Sequence, residues 1–127
     1  MRLDLAGTWR TLVQTPPLSI GMFVLAALLG ALGQYLYKSG ADAAGDSVAS
    51  YLLNARLWGG VLCYVTVMIL FVAGFKRGGA MTVLYPVYAS TFIWAALIGL
   101  LAYGTPIKPV NLVGMVLLLL GIHLMGR

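Results

Sequence analysis

Long uncharged runs separated by short polar connections dominate the chain. These runs cover Leu18–Tyr37, Leu57–Phe75, Met81–Tyr103 and Val110–Gly126. About 20 apolar helical residues cross the hydrocarbon of a bilayer, so each run predicts one transmembrane helix. The link Lys76–Gly79 is so short that the second and third helices must form an antiparallel hairpin. The pattern therefore predicts an all-α integral membrane protein with four transmembrane helices.

Residues 1–17 follow a different pattern from the rest of the chain. Apolar side chains recur there at helical spacing beside two arginines, namely Leu5, Trp9, Leu12 and Val13 with Arg2 and Arg10. Such a segment is typical of a short amphipathic helix on the membrane surface, ended by Pro16-Pro17. A disordered tail is the alternative. The predicted organisation is an interfacial segment, 1–17, followed by a four-helix domain, 18–127.

Composition supports the membrane prediction and indicates an orientation. The 127 residues are 61% hydrophobic and only 9% charged, whereas soluble domains average about 25% charged residues. With four spans, one side carries Arg2, Arg10, Lys76, Arg77 and Arg127, and the other carries Lys38, Arg56 and Lys108. Since cytoplasmic loops are richer in cations, this favours cytoplasmic termini in a bacterial inner membrane. The net charge of +5 lies at helix ends and does not indicate a nucleic-acid partner.

The third run is unusually polar for a membrane helix. It contains Tyr85, Tyr88, Ser90 and Thr91 around Pro86. Because proline lacks an N–H, the helix is expected to kink there. A kinked helix lined by hydroxyls suits the side of a substrate path, although a tolerated proline in a packed bundle gives the same pattern.

Acidic groups are missing from all four runs, which argues against proton-coupled transport. The chain has no glutamate, and its three aspartates lie outside the apolar runs. A proton-coupled pump normally needs an ionisable group at membrane depth. No cluster suited to a metal ion and no Ser/His/Asp set is apparent, so neither an enzyme nor a cofactor is predicted.

Polar side chains inside the spans are the candidate substrate-binding residues. Gln34 and Lys38 are four apart and share one face of the first helix, where lysine suits a phosphate and the amide a sugar. The full set is Gln34, Lys38, Tyr64, Tyr85, Tyr88 and Asn111. The alternatives are helix–helix contact for Gln34, snorkelling for Lys38 and an aromatic belt for the tyrosines.

The fourth run is rich in leucine and poor in polar groups. It carries Gly114, Leu117 and Gly121, with the two glycines on one helical face. Small residues let membrane helices approach closely, so this face is predicted to be a dimer contact. Packing within one subunit is the alternative.

Three segments together resemble a known family. Gly33-Gln34 followed by Lys38, the pair Tyr85-Pro86, and the turn and glycine spacing from Gly104 to Gly121 are similar to small four-span carriers. These are the small multidrug resistance proteins and EamA-like members of the drug/metabolite transporter superfamily. The subunits of the aminoarabinose-phosphoundecaprenol flippase are the closest likeness. Two acids of these families are missing, since Leu28–Gly33 contains no glutamate and Thr105 occupies the turn before the last span.

The resemblance implies a function and a partner. It implies a carrier or flippase for a polyprenyl-phosphate-linked sugar or similar amphipathic lipid, working as a homodimer or as a heterodimer with a similar small subunit. The headgroup would cross in a groove between the first three spans, with the fourth at the dimer contact. The alternatives are a small multidrug or guanidinium exporter and a non-transporting accessory membrane subunit.

Overall fold

The computed structural model describes residues 15–126, and all its regular secondary structure in that range is helical. The helices are α1 Pro17–Ala43, α2 Val48–Leu52, α3 Ala55–Lys76, α4 Met81–Tyr88, α5 Thr91–Tyr103 and α6 Pro109–Met125. Three segments are long and apolar enough to cross a membrane, namely α1, α3 and the run Met81–Tyr103, whereas α6 is a shorter apolar helix of 17 residues. The fold is that of a multi-pass helical membrane protein. The predicted N-terminal amphipathic helix falls almost entirely outside the described residues.

The first helix is longer than the hydropathy pattern predicts. It continues past Tyr37 to Ala43, because the residues after the apolar run are compatible with helix and the pair Lys38–Asp42, four apart, supports another turn. The polar connection is shorter as a result. A short helix, α2, follows in this connection and is capped by the Ser47 side chain, which accepts the N–H of Ser50.

Glycines set the close packing of α1 against α3. The Phe23 ring lies against Gly74, the Tyr37 ring against Gly60 and the Tyr64 ring against Gly33. In lipid, helices gain little from burying apolar surface against each other, so a good fit of large side chains onto small ones stabilises the pair. Phe23 is fully buried and stacks on Phe71, with ring centroids 4.7 Å apart.

The run Met81–Tyr103 is not one regular helix. The predicted distortion is present, but it lies at Ala89–Ser90, one turn after Pro86, and divides the run into α4 and α5. There the N–H of Ala89 donates to the Pro86 carbonyl at 2.9 Å, and that of Ser90 to the Val87 carbonyl at 3.1 Å. These tighter 3₁₀-type bonds mark the point where the helical path changes.

A turn joins α5 to α6 and brings α6 back across the bundle. Gly104, with φ +65°, ends α5 in the left-handed conformation that glycine adopts most easily. Pro109 begins α6, and the Asn111 side-chain oxygen accepts the Lys108 N–H at 2.8 Å. α1 contacts α3, α4 and α5, whereas α6 packs mainly against α4. α6 therefore packs more closely on α4 than on α1 or α5.

Candidate functional site

A groove of about 790 Å³ opens between the second half of α1, α5 and the first half of α6. Its walls are mostly apolar, and the turn after Gly104 closes one end. α1 contributes Ala31, Gln34, Tyr35 and Lys38; α5 contributes Phe92, Ile93, Ala95, Ala96, Ile98, Gly99 and Tyr103; the turn contributes Thr105, Pro106 and Ile107; α6 contributes Val110, Asn111, Gly114, Met115 and Leu118. The groove lies within a single chain and α3 does not line it, which differs from the expected groove between the first three spans.

Three of the predicted substrate-binding residues, Gln34, Lys38 and Asn111, line this groove together. Gln34 and Lys38 lie one turn apart on α1, and Asn111 faces them from α6. Two amides and a cation thus line the part of the groove near the turn. This is a donor-rich end, suited to an anionic or hydroxylated group.

Lys38 is held by two groups of the same chain. Its Nζ lies 5.1 Å above the Tyr103 ring centroid and 3.5 Å from Asp42 Oδ2. The Lys38 and Asp42 side chains are 60% and 59% exposed, and exposed pairs of this kind contribute about 0–1 kcal/mol. The ammonium is therefore positioned at the groove without being committed to a strong partner.

Gln34 combines the two roles considered for it, since it lines the groove and also joins two helices. Its Nε2 donates to the Tyr64 hydroxyl at 2.6 Å, and that hydroxyl donates to the Gly30 carbonyl at 3.4 Å. The Tyr64 ring stacks on Tyr37, with centroids 5.3 Å apart and planes 4° apart. Tyr64 does not line the groove but orients the Gln34 amide, whose oxygen and second N–H can meet a ligand.

The structure places Tyr85 and Tyr88 away from the groove lining. The Tyr88 hydroxyl lies so close to Gly30 that an added Cβ there would be 2.7 Å away. The Tyr88 ring also meets Phe71 edge-on, with centroids 4.8 Å apart. Tyr85 is 59% exposed, and its ring centroid lies 6.4 Å from that of Tyr88. Tyr88 thus packs α4 against α1 and α3, and neither tyrosine is placed to contact a ligand in this groove.

The face predicted for dimer contact is divided between two environments. Gly114 lines the groove, whereas Leu117 is 62% exposed. A Cβ added at Gly114 or at Gly121 would meet nothing within 4 Å. Among residues 15–126, both glycines therefore have no close neighbour on that side, and the dimer contact stays a prediction.

Tyr35 and Tyr103 were missed as groove residues by reasoning from the sequence. Their ring centroids lie 6.0 Å apart, on opposite walls. Tyr35 continues the helical series Ala31, Gln34 and Lys38, so the spacing on α1 could have identified it. Tyr103 lies 65 residues beyond Lys38, and only the packing of α5 on α1 brings the two together.

Carboxylates are missing from the groove lining formed by residues 31–118. Asp42 approaches from beside Lys38, and His123 is exposed near the end of α6. Within the described part of the chain, no group of His, Cys, Asp and Glu could hold a metal ion. One cation and two amides in this groove can bind an anionic or hydrogen-bonding group. The neighbouring walls can contact an apolar part of the same ligand.

Comparison with known proteins gives no relative from which a role could be transferred. No protein-family model matches the chain, and no curated protein or solved structure is significantly similar to it. The chemistry of the groove is therefore the basis for assigning a function.

Proposed function

We propose that the protein is a membrane carrier or flippase for a polyprenyl-phosphate-linked sugar or a similar amphipathic lipid. The observation that carries this proposal is one groove with two kinds of wall. One end bears Lys38, Gln34 and Asn111, and the rest is lined mainly by apolar side chains. An amphipathic lipid has the same division, with a charged, hydroxyl-rich headgroup on a hydrocarbon chain.

The groove carries the groups that a polar headgroup needs when it enters the membrane. A polar headgroup is costly to bring into hydrocarbon unless its hydrogen bonds are replaced. Lys38 would meet the phosphate, and the amides of Gln34 and Asn111 would meet sugar hydroxyls. The apolar walls allow the chain of the lipid to stay in a hydrocarbon environment. The resemblance of Gly33-Gln34 and Lys38 to the flippase subunits supports the same substrate class.

The proposal includes four transmembrane spans in a bacterial inner membrane. α6 has 17 residues, and its length of about 26 Å is near the lower limit for crossing the hydrocarbon. With cytoplasmic termini, the groove end near Lys38 faces the opposite side of the membrane. A homodimer, or a heterodimer with a similar small subunit, would place Leu117 and Gly121 at the contact between subunits.

A multidrug or guanidinium exporter fits the groove less well. A cationic drug needs an anionic partner at depth, and no carboxylate lines the groove in the range 31–118. Release of protons on addition of a guanidinium compound to the purified protein would favour the exporter.

Transport in proteoliposomes tests the proposal. A polyprenyl-phosphate sugar with a fluorescent headgroup would be followed by its protection from a membrane-impermeant reductant. Wild type should move the lipid, and Lys38→Ala should lower its apparent affinity. A hydrogen bond to a charged group contributes about 1.5–3 kcal/mol, or about 10- to 150-fold. Lys76→Ala, which removes an exposed cation at the end of α3, should transport like wild type.

The role of Gln34 needs its own control, because the side chain also bonds Tyr64. Tyr64→Phe removes that bond and keeps the amide, so it should retain more transport than Gln34→Ala. Equal losses would indicate that Gln34 acts only through packing. Wild type no faster than protein-free liposomes would refute carrier activity of the chain alone, and transport restored by a co-purifying subunit would indicate an accessory role.

A further inference from the structure

The connection between α1 and α3 carries large apolar side chains that the bundle does not bury. Val48, Tyr51, Leu52 and Leu53, together termed the loop apolar surface, are 75%, 48%, 60% and 85% exposed. None of them lines the groove. We infer that the loop apolar surface enters the boundary between the headgroups and acyl chains of the bilayer, and that lipid is its partner.

The position of the connection supports a lipid partner. α1 and α3 are both long and apolar enough to cross a membrane, and α2 lies in the short stretch that joins them. A short helix in that place lies at the level where a bilayer changes from hydrocarbon to headgroups. Amphipathic helices at this level bury their apolar face about 5–10 Å into the boundary.

Trp58 ties the loop apolar surface to α3. The indole N–H of Trp58 donates to the Leu52 carbonyl at 2.7 Å. Trp58 is also the first member of a stripe of exposed apolar side chains that runs along α3 at helical spacing: Trp58, Leu62, Val65, Ile69 and Val72. The Leu52 backbone therefore lies on the side of α3 that carries this exposed apolar stripe, which is the side where lipid is expected. Tryptophan is enriched at this depth because its ring is apolar and its N–H is polar.

The connection is tied to the groove-lining helix. Asn54 Nδ2 donates to the Gly40 carbonyl at 2.7 Å, and Asn54 Oδ1 accepts the N–H groups of Arg56 and Leu57. Gly40 lies two residues after Lys38 on α1. Insertion of the loop apolar surface would fix the depth of Lys38 at the headgroups. This consequence for transport rests on the proposed function, whereas the lipid contact itself does not.

Spin labels on the loop test the contact directly. In a Cys63→Ser background reconstituted in liposomes, Leu52→Cys and Leu53→Cys would each carry a nitroxide. Asp46→Cys, on the exposed polar part of the same connection, is the control. The labels at 52 and 53 should show a higher ratio of oxygen to nickel-chelate accessibility than the label at 46. Equal ratios at the three positions would place the surface in water and overturn the inference.

The same samples distinguish lipid from a second copy of the chain. Dipolar broadening at position 53 that disappears on dilution with unlabelled protein would identify a second copy as the partner and overturn the inference. A second measurement uses the fluorescence of Trp58 and needs no substitution in the loop. With Trp9→Phe and Trp94→Phe, Trp58 fluorescence should be quenched more by lipids brominated near the headgroup than by aqueous iodide. The reverse order would also refute the lipid contact, and neither result depends on transport activity.

Discussion

Replacement of Gly60 by alanine should destabilise the bundle through one close contact. An added Cβ at Gly60 would lie 2.5 Å from two ring atoms of Tyr37 and 3.2 Å from the Gly33 carbonyl oxygen. The Tyr37 ring cannot simply move aside, because it is stacked in parallel on the Tyr64 ring. Relief therefore requires α1 and α3 to separate or two stacked rings to shift.

Two opposing effects set the size of the change. Overpacking of a well-packed interior costs about 1–3 kcal/mol, while alanine in place of glycine inside a helix contributes about 0.5–1 kcal/mol of stability. Gly21→Ala is the matched control, since a Cβ there would meet nothing within 4 Å and only the favourable effect remains. The free energy of unfolding of Gly60→Ala should therefore be about 1–3 kcal/mol below that of Gly21→Ala.

Reversible unfolding by SDS in bicelles, followed by circular dichroism, measures this difference. All three proteins should be compared at the same lipid-to-detergent ratio. The stack also orients the Gln34 amide through Tyr64, so Gly60→Ala should weaken ligand binding as well as folding. If Gly60→Ala proved as stable as Gly21→Ala, the interlocking of glycines and rings as the basis of α1–α3 packing would be wrong.

Three further substitutions test other parts of the fold by the same unfolding assay. Ser19→Ala removes a buried hydroxyl whose Oγ lies 3.0 Å from each of two carbonyl oxygens, those of Gly74 and Gly78, which share its one proton. The change should cost about 0.6–2 kcal/mol, and no loss would show that this hydroxyl contributes nothing to stability. Asn54→Ala removes the cap of α3 and should cost about 1–2 kcal/mol, whereas Asn54→Asp, which keeps the cap oxygen, should lose less. Gly104→Ala forces a Cβ into the left-handed conformation in otherwise open space and should cost about 1–2 kcal/mol; unchanged stability would argue against the observed turn.

The sequence alone predicted the helices better than their ends. Uncharged runs predicted the long apolar helices of residues 15–126, but not the extension of α1 to Ala43. Lys38 and Asp42 lower the hydropathy of this stretch, but they do not interrupt the backbone hydrogen bonds that form the helix. Likewise, Pro86 indicated a distortion, but the tightened turn formed at Ala89–Ser90. The position of such a break depends on how α4 and α5 pack on α1.

The sequence predicted only part of the candidate site, because contacts between helices decide the rest. Gln34 and Lys38 share a face because helical spacing requires it, so their joint place in the groove could be foreseen. Asn111 also lines the groove, whereas Tyr88 packs against Gly30 instead. Hydroxyl content identified Tyr88 as polar, but it carried no information about which neighbour the ring would meet.

The sequence by itself determined that the chain is helical and suited to lipid, because continuous apolar runs of about 20 residues match the length of a helix that satisfies its own backbone hydrogen bonds in hydrocarbon. Only the tertiary structure decided which faces meet, as shown by Gln34 bonding Tyr64 thirty residues away and by α6 standing apart from α1 to open the groove. The physical reason is that lipid is as apolar as the side chains themselves. Helix pairing in a membrane therefore follows the fit of particular rings onto particular glycines, which the hydropathy of the chain does not reveal.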